Sequence, residues 1–79
     1  MGDVTHITPY ITLSDMKAVM AWSPTGVVVY KTEAGWMVRK DSAVVVTENE
    51  RTPRVWKRLD SVVEQLRRLG AKEVRIELA

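Results

Sequence analysis

Apolar positions in the last third of the chain follow two different periods. After Arg58 they recur every three or four residues, which is typical of an amphipathic helix over 59–69. After Gly70, a residue that commonly ends helices, they alternate with charged residues, which predicts a strand over 73–78. We expect the core to include the apolar residues of both elements: Leu59, Val62, Val63, Leu66, Val74, Ile76 and Leu78.

The middle of the chain predicts three strands. Runs rich in β-branched residues occupy 27–31, 36–40 and 43–47, and short turns with Gly, Asp and Ser separate them. Connections this short allow only antiparallel neighbours, so we expect a β-meander.

Residues 54–58 fit two structures. They form either a fourth strand, the interpretation we favour, or the start of a helix that begins at Pro53. Ser61 and Glu64 have the spacing of a capping box, which favours the later helix start near Asp60.

The N-terminal region predicts one further helix. Thr12 is a suitable N-cap for a helix over about 13–22, because apolar residues then share one face at helical spacing. A strand over 17–22 is the alternative, and Pro24 ends the element in either case. Residues 4–7 form either a short edge strand or a loose arm.

Together these elements predict a single small α+β domain over 1–79, with a four- or five-stranded sheet that carries its helices mainly on one face. The chain has no cysteine, which excludes disulfides and thiolate metal sites. It also lacks a run of about 18 apolar residues, so we expect no membrane span and a cytoplasmic protein.

Valine runs at 27–29 and 44–46 place apolar side chains on both faces of the predicted sheet. An antiparallel sheet in a monomer usually keeps one face polar. With only two short helices to cover the sheet, we expect a homodimer that buries sheet surface.

Charge is distributed unevenly along the chain. Residues 1–50 carry four Lys and Arg against six Asp and Glu, whereas residues 51–79 carry eight against four. A basic segment of this kind indicates a polyanionic partner, namely DNA or RNA.

Catalytic chemistry has little support. His6 is the only histidine, and no cluster of residues has metal-ligand spacing. Asp60 and Glu64 lie one helical turn apart, but with Arg67 and Arg68 close by they are typical of a solvated helix face. We therefore expect no enzyme activity, no metal, no cofactor and no small-molecule substrate.

The candidate nucleic-acid-binding residues are cations of the basic segment and two tryptophans. Lys57 and Arg58 precede a helix whose free N–H groups already attract anions, which favours a phosphate contact. Tryptophans interleaved with cations are typical of surfaces that stack single-stranded bases. The alternative is a solvated rim of cations around tryptophans of the core or an interface. The full set is Arg54, Lys57, Arg58, Arg67, Arg68, Lys72, Trp56 and Trp36.

Residues 34–78 resemble small accessory proteins of plasmids and other mobile elements, some of them partition-associated. The resemblance is carried by the Gly35-Trp36-Met37-Val38 hairpin, the Arg54-Val55-Trp56-Lys57 segment, the Leu59-Asp60 helix start and the Leu69-Gly70 stop. In such proteins phenylalanine is usual at the position of Trp56, and Ser or Thr at that of Arg58. The resemblance implies an accessory role and supplies no catalytic residues.

Two functional hypotheses remain. The first is a non-enzymatic accessory protein of a mobile element that binds nucleic acid mainly through backbone charge. The alternative is a protein–protein interaction module or homodimeric adaptor with no nucleic-acid binding.

Overall fold

The computed structural model describes residues 9–78, which form one five-stranded sheet and two helices. In chain order the elements are β1 (Tyr10–Thr12), α1 (Leu13–Met20), β2 (Val27–Thr32), β3 (Gly35–Lys40), β4 (Ala43–Val46), α2 (Leu59–Arg68) and β5 (Val74–Glu77). The predicted α+β class is confirmed. The possible strand or arm at 4–7, together with His6, lies outside the described residues.

The strand order in the sheet is β1-β4-β3-β2-β5. The predicted meander is confirmed for β2, β3 and β4, which pair antiparallel. The sheet as a whole is mixed, because β1 joins β4 and β5 joins β2 in parallel. The parallel pairs arise because α1 and α2 act as crossover connections, which return the chain in the same direction.

Residues 54–58 form neither a regular strand nor a helical turn. Pro53 and Trp56 each make one isolated antiparallel bridge, to Val46 and Trp36 respectively. The helix begins at Leu59, so a helix start at Pro53 is wrong.

The predicted capping box at the start of α2 is also wrong. Arg58 is the N-cap residue, with extended backbone (φ −126°, ψ 135°) and no side-chain capping bond. Ser61 therefore lies inside the first turn of the helix, beyond the position from which it caps the N-terminus.

The predicted end of α2 is confirmed. Gly70 has a φ of 102° and donates its N–H to the Arg67 carbonyl, while Ala71 donates to the Leu66 carbonyl, each at 3.1 Å. These two bonds are those of a Schellman motif, in which glycine is favoured because of its positive φ.

The start of α1 is as predicted. The Thr12 hydroxyl accepts a bond from the Asp15 N–H at 3.2 Å. The helix ends at Met20, two residues before the predicted end. Pro24 has no N–H to donate to the Met20 carbonyl four residues earlier, so the helix cannot continue through it. The alternative strand over 17–22 is wrong.

The core lies between the two helices and one face of the sheet. Fully or almost fully buried residues from both helices pack against valines that the strand register places on one face: Met16, Met20, Val62, Leu66, Val27, Val29, Val38 and Val45. Leu59, Val63 and Val74 are partly buried against this cluster. The prediction that Ile76 and Leu78 are core residues is wrong, because they belong to the edge of the sheet and are 43% and 75% exposed.

Two valines of the runs that face away from the helices are buried within the chain, and a third, Val44, is half-buried. Val28 and Val46 point away from the helices, yet they are only 9% and 3% exposed. These side chains therefore need no second chain to cover them. Neither described helix is long and apolar enough to cross a membrane.

Candidate nucleic-acid interface

A short extended segment, 53–56, enters the sheet between the end of β4 and the start of β3. The Arg54 N–H donates to the Val45 carbonyl at 2.9 Å. Trp36 and Trp56 exchange both backbone bonds, each 2.8 Å long. We call residues 53–56 the bridge segment. It fixes the cations around it at one end of the sheet.

Gly35 allows the bridge segment to approach β3 closely. Its φ is 143°, and a Cβ atom at this position would lie 2.7 Å from the Trp56 carbonyl oxygen and 2.8 Å from Val55 Cγ1. A side chain at Gly35 is therefore incompatible with the observed backbone spacing.

Two cations lie over the rings of two neighbouring tryptophans. Lys31 pairs with Trp36 across the β2–β3 hairpin, and its Nζ is 5.4 Å from the centre of the Trp36 ring. The Arg54 guanidinium is 5.2 Å from the centre of the Trp56 ring. Both distances are within the range of a cation–π contact. The pairing of Trp36 with Trp56 makes these contacts one continuous row.

The two tryptophans differ in accessibility. Trp56 is 9% exposed and belongs to the core cluster, whereas Trp36 is partly buried at its margin. Lys31 and Lys57 are exposed, and Arg54 is partly exposed. The row therefore presents its cations to solvent, together with part of one indole ring.

Ion pairing distinguishes the cations at this end of the sheet. Among residues 9–78, Lys31, Arg54 and Lys57 form no ion pair. Arg58 pairs with Asp60 at 3.0 Å, but both side chains are at least 70% exposed, so water competes with the pair. We call Lys31, Arg54, Lys57 and Arg58 the sheet-end cluster.

The remaining predicted cations form a second group at the opposite end of α2. A helix of ten residues separates Arg67, Arg68 and Lys72 from the sheet-end cluster by about 15 Å. The Lys72 N–H donates to the Pro24 carbonyl at 3.0 Å, which fixes this group near the start of β2. The six predicted cations are thus not brought together at a single point.

Glu64 neutralises part of the second group. It forms ion pairs with Arg67 and Arg68, each at 3.1 Å. Hydrogen bonds from Arg67, and then from Arg68, hold the pKa of the Glu64 carboxyl below its usual 4.5. The carboxylate is therefore charged at neutral pH, and Lys72 is the cation of this group without an ion pair among the described residues.

An open groove of about 540 Å³ lies beside the starts of β2 and β5. Its charged lining residues are Arg39, Asp41, Glu73 and Arg75. Cations and carboxylates occur there in equal number, so the groove offers a polyanion little net attraction.

Lys31 belongs to the sheet-end cluster but is not among the binding residues predicted from the sequence. The signal was present, because the turn predicted after 27–31 places Lys31 opposite Trp36. The contact of Trp36 with the bridge segment had no such local signal.

Comparisons of the chain with protein-family models, curated proteins and solved structures found no match. The resemblance of residues 34–78 to mobile-element accessory proteins therefore stays a prediction.

Proposed function

We propose that the chain is a small non-enzymatic accessory protein of a mobile element that binds nucleic acid in the cytoplasm, mainly through backbone charge. One observation carries the proposal. Among the described residues, three cations without ion pairs lie at this end of the sheet: Lys31 over the ring of the partly exposed Trp36, Arg54 over the ring of the buried Trp56, and Lys57 next to Trp56 in the chain. The mobile-element assignment rests on the resemblance of residues 34–78.

Phosphate groups are the proposed ligands of the sheet-end cluster. Lys31 and Lys57 are exposed and carry flexible ammonium groups that reach different positions along a strand. The start of α2 adds N–H donors, because Arg58 provides no side-chain cap for them. Cations beside free helix N–H groups favour an anion more strongly than either feature alone.

Trp36 is the proposed stacking partner for a base. Trp56 is 9% exposed and lies under Arg54, so its role is to hold the bridge segment in place. When Lys31 leaves the Trp36 ring to contact a phosphate, it uncovers the indole for a base. Stacking of this kind adds about 1–3 kcal/mol per base and tolerates any sequence.

The second group extends this site along α2. Arg67, Arg68 and Lys72 are exposed, and they lie about 15 Å from the sheet-end cluster. A strand long enough to follow the helix reaches both groups, whereas a very short oligonucleotide reaches only one.

Charge reversal at matched positions tests the proposed site. Lys57→Glu and Lys17→Glu alter an exposed lysine and change the net charge by the same amount. We expect Lys57→Glu to weaken binding of a short oligothymidylate at least about tenfold, a difference of about 1.4 kcal/mol. Lys17→Glu, on the outer surface of α1, should change the affinity less than about twofold. Tryptophan fluorescence at low salt measures both.

Two outcomes contradict the proposal. If both variants lose affinity equally, the net charge of the chain rather than the sheet-end cluster governs binding. If the unmodified chain does not bind the oligonucleotide at low salt, it does not act by binding nucleic-acid phosphates. The protein–protein interaction module is then favoured.

A further inference from the structure

Within the part of the chain that the structure describes, β5 lies at one edge of the sheet and its outer side is unpaired. Among residues 9–78 it pairs with β2 alone, so half of its backbone groups point away from the sheet. Proteins usually protect such an edge with proline, a bulge, a covering loop, charged side chains or a short strand, because an open edge pairs with other strands. β5 has four residues and two charged side chains, Arg75 and Glu77. Residues 74–78 contain no proline, and the parallel pairing with β2 is regular.

The side chains of this edge alternate strictly. The register with β2 places Val74 and Ile76 on the face that carries the helices, and Arg75 and Glu77 on the other face. Ile76 is 43% exposed, and Leu78, just beyond the strand, is 75% exposed. An apolar stripe therefore runs along the unpaired edge of β5, and much of this stripe is exposed to solvent.

We propose that a second copy of this chain pairs with β5 in antiparallel orientation, about a two-fold axis at Ile76, to give a continuous ten-stranded sheet. This proposal does not depend on nucleic-acid binding. Such strand addition uses backbone bonds for affinity and side-chain pairs for specificity. The two copies contribute the same patch, as a two-fold interface requires.

The charges select this register. With Ile76 opposite Ile76 of the second copy, each Arg75 faces a Glu77, and each Val74 faces a Leu78. Opposite charges directly across a strand pair are stabilising, and like charges are destabilising. A shift by two residues would place Arg75 opposite Arg75, or Glu77 opposite Glu77. Residues 74–78 are therefore self-complementary in one register.

A shift by one residue is excluded for a different reason. It would pair the apolar residues of one copy with the charged residues of the other and reverse the sheet faces. In the proposed register the helices of both copies lie on the same face of the sheet. Val74, Ile76 and Leu78 of the two copies then form one apolar stripe.

The contact of Glu77 within its own chain is weak enough to leave its carboxylate available to Arg75 of a second copy. Its carboxylate is 3.6 Å from the Arg39 guanidinium, a long ion pair, and the Glu77 side chain is 44% exposed. Arg75 is exposed and forms no ion pair among the described residues. The interface is short, so we expect a dimer that dissociates on dilution.

Two charge-reversal variants with a mixing step test the register. Arg75→Glu places Glu opposite Glu, and Glu77→Arg places Arg opposite Arg, so each variant alone should dimerise poorly. Because the pair occurs twice across the axis, we expect the dimer dissociation constant to rise at least about tenfold for each. When the two variants are mixed, every pair again has opposite charges, and a heterodimer should form. Sedimentation equilibrium measures all three samples.

Controls keep the test decisive. Glu77→Arg also loses its contact with Arg39, so circular dichroism must first show that it folds. If it does not fold, Arg75→Glu and Leu78→Lys decide, since both alter exposed side chains and both should weaken the dimer. Lys17→Glu, away from β5, should leave dimerisation unchanged.

A chain that stays monomeric at the highest attainable concentration would overturn the proposal. So would a dimer that Arg75→Glu or Leu78→Lys leaves intact, or two folded charge-reversal variants that fail to associate when mixed.

Discussion

Gly35 takes part both in the turn of the β2–β3 hairpin and in the close contact with the bridge segment. Thr32 Oγ1 donates to the Gly35 carbonyl at 2.9 Å and closes a two-residue turn. The same glycine faces the Trp56 carbonyl so closely that no Cβ fits. One residue therefore determines both the register that pairs Lys31 with Trp36 and the approach of Trp56.

Replacing Gly35 by alanine should destabilise the fold more than replacing Gly70. Both glycines have positive φ, which costs a non-glycine residue about 1–3 kcal/mol. At Gly35 the new Cβ also clashes with backbone, whereas at Gly70 its nearest neighbour is Met20 Cβ at 3.7 Å, an ordinary contact. Urea unfolding measures both losses. An equal or smaller loss at Gly35 would contradict the close approach of the bridge segment.

At the scale of the element, α2 has a well-formed C-terminus and a poorly capped N-terminus. Its last turn ends in a Schellman motif with Arg67 and Arg68 near the negative end of the helix dipole. Its first turn begins after Arg58, whose side chain donates to the Asp60 carboxylate and has no acceptor atom for the free backbone N–H groups. The first turn also contains Asp60, whose charge stabilises the helix start and opposes an anionic ligand, so Lys57, Arg58 and the free N–H groups must supply the attraction for an anion there.

Arg58→Ser should stabilise the fold and weaken nucleic-acid binding together. The extended backbone of Arg58 suits an N-cap, and a serine there supplies about 0.5–2 kcal/mol relative to alanine. The exposed pair with Asp60 that is lost contributes little. Arg58→Ala is the matched control, because it removes the same cation without adding a cap. Urea unfolding and oligonucleotide titration measure the two effects. Equal stability of the Arg58→Ser and Arg58→Ala variants, or unchanged oligonucleotide binding in both, would contradict this role of the α2 N-terminus.

At the scale of the whole molecule, local elements were predictable and non-local contacts were not. The helix ending at Gly70 and the three-stranded meander follow from periodicity and turn residues that lie close together in sequence. The pairing of β1 with β4, the exposure of Ile76 and the insertion of the bridge segment depend on distant strands. No local pattern encodes those contacts.

The candidate site shows the same division. The cations at Arg54, Lys57 and Arg58 were predictable from their place before a helix, and Lys31 from hairpin register. The separation of Lys72 from these residues, by the length of α2, appears only in the folded chain.

The salt dependence of oligonucleotide binding shows directly whether the sheet-end cluster contacts phosphate groups. A single strand releases about 0.7 counterion per phosphate neutralised, so the four cations of the sheet-end cluster imply a slope of log affinity against log salt near −3. Titration of tryptophan fluorescence with a short single-stranded oligonucleotide at several salt concentrations measures this slope. We expect a slope between about −2 and −3, and quenching of Trp36 on binding. A flat salt dependence, or no binding at low salt, would contradict it.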